Sequence, residues 1–223
     1  FGGEVMKNVA GYDVSRLMAG ALGTLGVLLD VSLKVLPRPP RERTVCHETD
    51  AAGALERMRQ WAREPIPITG TVHYDGRLWT RLSGPESALE SAVARIGGEV
   101  TDDLAIWTSV RDQSHVCFAS RPSSDQAVWR LALPEGAPPL DLPGQVLMEW
   151  GGTLRWIVGD LAPETIRAIA AEYGGHATAF RGANRPDEIF TPLSSGVARL
   201  HRRLKDAFDP HRILNPGRLY AEF

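Results

Sequence analysis

The chain has 223 residues, with 25 Lys and Arg against 27 Asp and Glu, a formal net charge of −2. Its 43% hydrophobic and 23% charged residues exclude a disordered chain, and two cysteines exclude a disulfide-dense scaffold. No run approaches the ~18 apolar residues of a membrane helix, and the near-neutral charge gives no electrostatic reason for a nucleic-acid partner.

Three zones follow along the chain. Residues 1–40 are glycine-rich and end in Pro37-Arg38-Pro39-Pro40. Here Val14 to Leu17 reads as a helix start, with Asp13 as its cap. Leu25 to Leu36 reads as a strand, because Leu25, Val27, Leu29, Val31, Leu33 and Val35 alternate with a face that turns polar. Residues 41–182 read as α+β. Thr44 to Glu48 is a strand, and Asp50 caps a helix to about Arg63 that buries Ala54, Leu55, Met58 and Trp61. Ile66 to Tyr74 and Arg77 to Ser83 form a hairpin about Asp75-Gly76. A helix from Glu86 to Ile96 stops at Gly97-Gly98. Strand, helix, hairpin and helix suggest a small sheet covered on one face. A second hairpin joins Val146–Trp150 to Leu154–Val158, followed by a helix from Pro163 to Tyr173 and a strand from His176 to Phe180. In residues 183–223, a helix from about Ser194 to Phe208 ends at Asp209-Pro210. No internal repeat is visible.

The sequence from Phe1 reads as mid-domain, without a signal-peptide pattern, so a C-terminal part of a longer protein is expected. Cys46 and Cys117 form no CxxC, and a reduced, cytosolic setting is expected. Gly20-x-x-Gly23-Thr24-x-Gly26 precedes a predicted strand, an order opposite to the Rossmann fingerprint, and no Gly-Lys-Ser/Thr loop exists. These glycines fit either a tight loop into a sheet or close backbone approach to a ligand. Lys7-Asn8-Val9-Ala10-Gly11-Tyr12-Asp13 could line a polar pocket or form an Asx turn. Asn215-Pro216-Gly217-Arg218 displays an amide and a guanidinium suited to an anion, or is a docking turn. The six histidines show no metal-ligand spacing, so no metal site is expected. His211 is the only one beside a candidate turn. No GxSxG is present. The six tryptophans read as packing residues.

Phe1-Gly2-Gly3-Glu4-Val5-Met6-Lys7-Asn8-Val9-Ala10-Gly11-Tyr12-Asp13, Gly23-Thr24-Leu25-Gly26-Val27 and the Asn215-Pro216-Gly217-Arg218 tail together resemble the vanillyl-alcohol-oxidase, or PCMH-type, flavoprotein family. The resemblance implies an α+β chain. Residues 1–40 would end a PCMH-type FAD-binding domain, and 41–182 would be a ferredoxin-like cap on the substrate side. Residues 183–223 would be a helix and tail returning to the flavin domain. The family's N-terminal half has no counterpart here. The implied cofactor is FAD. Gly23, Thr24, Gly26 and the backbone of Val27 would approach its nucleotide, Asn215 the isoalloxazine, and Arg218 the ribityl or phosphate region. Lys7, Asn8 and Tyr12 rank second. The implied reaction is oxidation of glycolate, a 2-hydroxy acid, to glyoxylate, with a sister flavoprotein subunit and an iron–sulfur subunit as partners. The complex would be cytoplasmic, with peripheral association at the inner face of the cell membrane also open. The family's clustered histidines are missing, so no catalytic residue is assigned and an accessory role is expected. A stand-alone D-lactate-type dehydrogenase and a non-catalytic scaffold are the alternatives.

Overall fold

Asp50 caps a helix by accepting a hydrogen bond from the Gly53 N–H at 2.8 Å, and the helix buries Ala54, Leu55, Met58 and Trp61 as its periodicity predicts. This computed structural model describes residues 11, 13–119, 127–182 and 189–223. The elements are α1 (Val14–Met18), β1 (Arg41–Glu48), α2 (Ala51–Trp61), β2 (Ile68–Tyr74), β3 (Arg77–Gly84) and α3 (Glu86–Ile96). Then come β4 (Glu99–Thr101), α4 (Ala105–Arg111), α5 (Val116–Ala119), β5 (Ala127–Ala132), β6 (Gln145–Glu149) and β7 (Leu154–Gly159). The last are α6 (Pro163–Glu172), β8 (His176–Arg181) and α7 (Ser195–Phe208). The chain divides into two compact units, Arg38–Ala183 and Phe1–Pro37 with Asn184–Phe223.

The larger unit is α+β. Its eight strands form one antiparallel sheet in the order β4-β1-β3-β2-β6-β7-β5-β8. Outward from the β2–β6 junction, each half runs second, third, first and fourth strand, the split βαβ arrangement. The chain thus repeats a topology that no sequence period announces. In the first half α2 connects the first strand to the second. In the second half residues 133–144 make that connection without a helix. Arg155, fully buried, takes over there: its guanidinium donates to the carbonyls of Gly152 at 3.1 Å, Ala137 at 2.7 Å and Pro138. Burial lowers its pKa to about 10.

Both faces of the sheet are covered. Val45, Leu78, Leu82 and Met148 pack under α2 and α3, and Trp129, Leu131, Ile157 and Ala177 pack under α6. On the other face, Val72, Val128, Leu147 and Trp156 meet Ile106 and Val110 of α4 and Phe118 of α5. Strand alternation does the sorting: Val128 and Trp156 face one way, Trp129 and Ile157 the other. The sheet is therefore larger than the one-faced sheet expected, because α4, α5, β4 and β5 carry little periodicity. The tip of the second hairpin, Trp150–Gly152, turns tightly over α2. Gly152 has φ +83° there, and a Cβ at this position would fall on Leu55.

One expected element is absent. Residues 25–36 form no strand, and Val27, Leu29, Val31, Leu33 and Val35 are exposed. Alternation marks a segment able to join a sheet, but a strand exists only when a neighbour closes its hydrogen bonds. Cys46 and Cys117 are free, and burial pushes the Cys117 thiol up to about 12.

Candidate functional site

Within the smaller unit, Asp13 starts α1 by accepting the Arg16 N–H at 3.1 Å, as expected. The chain then turns at Leu22 and Gly23, whose φ angles are +51° and +73°. Thr24 is buried, and its hydroxyl donates to the Ala21 carbonyl at 2.7 Å, closing the glycine loop on itself. At the other end of the chain, α7 stops at Asp209-Pro210. One Asp209 oxygen accepts the Ile213 N–H at 3.2 Å and the other the Leu214 N–H at 2.9 Å. The tail thus bends back beside the helix end. Asn215 sits at φ +40°, and the Arg218 N–H donates to the Asn215 carbonyl at 3.2 Å.

The two segments meet. The Asn215 side-chain amide donates to the Leu22 carbonyl at 2.8 Å. A Cβ on Gly23 would lie 2.7 Å from the Asn215 amide nitrogen, so the absent side chain admits that contact. Lys205 Nζ, buried at 1% exposure, donates to the Thr24 carbonyl at 2.8 Å, the Leu214 carbonyl at 2.7 Å and Asp209 Oδ2 at 2.6 Å. Burial raises the pKa of the Asp209 carboxyl, but the hydrogen bonds from Lys205, Leu214 and Ile213 outweigh it and hold it at about 2. The tail is anchored further on: Phe223 is buried against His201 and Tyr220, and the Tyr220 hydroxyl donates to the Thr191 carbonyl at 3.2 Å.

An open recess of about 460 Å³ is lined by Ile189, Asn215, Pro216, Gly217 and Arg218. Arg218 is exposed, and no described residue pairs with its guanidinium. That cation beside the remaining hydrogen-bonding capacity of Asn215 fits the anionic portion of a nucleotide cofactor.

Of the residues singled out in the sequence, Gly23 and Thr24 lie against the Asn215 turn. A Cβ on Gly26 would meet Met18 instead, at an ordinary 3.7 Å, and Val27 is 73% exposed. Lys7, Asn8 and Tyr12 lie outside the described residues. His211 is exposed on its turn. Lys205 and Asp209 were not singled out as a pair. Their spacing of four residues at a helix end was the available signal, and it is common on solvated helices. Among the described residues no group of three His, Cys, Asp or Glu could hold a metal ion, and no helix is long and apolar enough to cross a membrane.

The sequence is similar to those of known proteins. Glycolate oxidase subunit GlcE of Escherichia coli (strain K12) is 44% identical over 100% of this chain and 61% of its own length. Glycolate oxidase subunit GlcD of Bacillus subtilis (strain 168) is 43% identical, over 99% of this chain and 60% of its own length. The chain therefore spans about three fifths of the length of these curated relatives. Residues 158–219, which include α6, β8, α7, the Lys205–Asp209 pair and the Asn215–Arg218 turn, match the family described as FAD linked oxidases, C-terminal domain.

Proposed function

We propose that this chain is part of the FAD-binding subunit of a glycolate oxidase complex. The observation that carries the reading is the contact between the Gly23-Thr24 loop and the Asn215-Pro216-Gly217-Arg218 turn, in a chain similar along its whole length to a glycolate oxidase subunit. When bound, FAD supplies the two-electron oxidation of the CH–OH group of a 2-hydroxy acid. The protein's own work is binding and orientation. Arg218 supplies a fixed positive charge to a phosphate or ribityl oxygen. Asn215, with one amide hydrogen committed to Leu22, keeps a second hydrogen and its carbonyl for the ring edge. The Gly23-Thr24 loop, which lies against the Asn215 turn, brings backbone, not side chain, to the nucleotide, and Gly26 and Val27 continue the chain from it.

A sister flavoprotein subunit and an iron–sulfur subunit are the partners of this reading, with the iron–sulfur subunit receiving the electrons. The two cysteines of this chain are too few for a cluster of its own. A cytoplasmic complex follows from the same reading.

The test is the visible absorption of the full-length protein purified alone. A flavin band that glycolate bleaches in the presence of the partner subunits supports the reading. A folded protein that takes up no FAD overturns it.

A further inference from the structure

Lys205 is 1% exposed, and its Nζ lies 2.6 Å from the Asp209 carboxylate. An ammonium has three donors and no acceptor, and each donor of Lys205 meets its own oxygen: Thr24 O, Leu214 O and Asp209 Oδ2. Thr24 lies inside the glycine loop, and Leu214 immediately precedes Asn215. One side chain thus joins two segments at opposite ends of the described sequence. Asp209 serves the same assembly, because its two oxygens also accept the Ile213 and Leu214 N–H groups and so fix the turn. The carboxylate also balances a charge that burial would otherwise penalise.

We propose that Lys205 is a positioning residue. It sets the glycine loop against the Asn215–Arg218 turn, and cofactor affinity depends on it although it does not touch the cofactor. The second half of this statement rests on the reading of those two segments as FAD contacts. The Asn215–Leu22 bond is secondary, since both of its partners lie on segments that the ammonium already holds. Lysine suits the position because its three donors diverge tetrahedrally toward three separate oxygens. The planar guanidinium of arginine spreads its donors differently and does not substitute.

The experiment uses the full-length protein, stripped of flavin and titrated with FAD. The parent is compared with Lys205→Met and with Lys205→Met combined with Asp209→Leu. Three readouts are taken: hydrogen exchange at residues 22–26 and 213–218, the visible spectrum on FAD addition, and the melting temperature. In Lys205→Met, exchange should rise in both segments together while residues 41–181 keep their protection. FAD affinity should fall about tenfold or more, the loss expected when charge-assisted hydrogen bonds that order a site disappear. The double variant removes the unpaired buried carboxylate. It also removes the acceptor of the Ile213 and Leu214 N–H groups, so it should regain part of the melting temperature but neither the protection at residues 22–26 nor the FAD affinity, a split that a merely stabilising lysine would not give. Parental protection of both segments in either variant overturns the proposal, as does parental FAD affinity with an unchanged spectrum. A parent that takes up no FAD refutes the cofactor reading alone, and the exchange data then decide the positioning role.

Discussion

The sheet of residues 38–183 is held by three apolar clusters spread over both faces. In the smaller unit, by contrast, Ala21 and Phe223 are the only buried apolar side chains among the described residues, beside the buried polar Thr24, Lys205 and Asp209. The two kinds of cohesion fail differently. Apolar burial is non-directional and roughly proportional to area, so it weakens by degrees. A charged clasp depends on direction, and losing one donor strands several acceptors at once. The region read as a cofactor site is thus built from the interaction that fixes position most sharply. The region without that role is built from the interaction that tolerates change.

The comparison can be pressed first in the sheet. Leu131 is fully buried between strands and α6, and Leu131→Ala should cost about 2–5 kcal/mol in urea unfolding. Within these 223 residues tryptophan fluorescence reads this unit, because all six tryptophans lie between residues 61 and 156. Arg155→Met is the next largest change. It leaves the Gly152 and Pro138 carbonyls without their donor, while Ala137 keeps Arg59 at 3.2 Å, and should cost about 2–3 kcal/mol by the same assay. If Met were neutral there, the second half of the sheet would be as purely apolar as the first. In the smaller unit, Gly23→Ala must hold φ +73° and displace Asn215 from Leu22. A penalty of about 1–2 kcal/mol is expected, seen as faster amide exchange around residues 22–26 with the sheet unaffected.

Acid separates the units without any substitution. Burial lowers the pKa values of His47, His73 and His115, all in the sheet unit. Their folded values lie below the ordinary ~6.5, so the stability they contribute is complete above that pH and is lost as pH falls below it. At His47, Nε2–H donates to the Ile96 carbonyl, while Nδ1 is buried with no hydrogen-bond partner among the described residues, so a second proton there meets no acceptor among them. Asp209 has a profile of the same sign in a lower window: its contribution is complete above the ordinary ~3.9 and disappears as pH falls to about 2. Tryptophan-detected melting should therefore decline from about pH 6.5 downward, while the Ile213 and Leu214 amides stay protected until below pH 4.

The same contrast explains what could be read in the sequence. The helix at Asp50, the hairpin at Asp75-Gly76 and the buried set Ala54, Leu55, Met58 and Trp61 were legible, because periodicity and turn chemistry are local. β5 was not legible. It is a short strand buried on both faces, and its alternation carries no polar half. The segment Leu25–Leu36 misled in the other direction, since its alternation is real but no neighbouring strand pairs with it. At the site, Gly23 and Asn215 were visible as turn residues. Their contact was not, because the clasp that joins them spans 181 residues from Thr24 to Lys205, a separation over which no local pattern extends.

The central claim is that the Asn215–Arg218 turn holds part of the FAD. The most direct measurement is the dissociation constant of FAD from the full-length protein, with and without Arg218→Ala. Arg218 has no partner among the described residues to lose, so its truncation should leave melting unchanged. FAD affinity should fall about tenfold to a hundredfold, the worth of one charge-assisted contact. Parental affinity in Arg218→Ala would contradict the assignment and return the turn to a purely structural role.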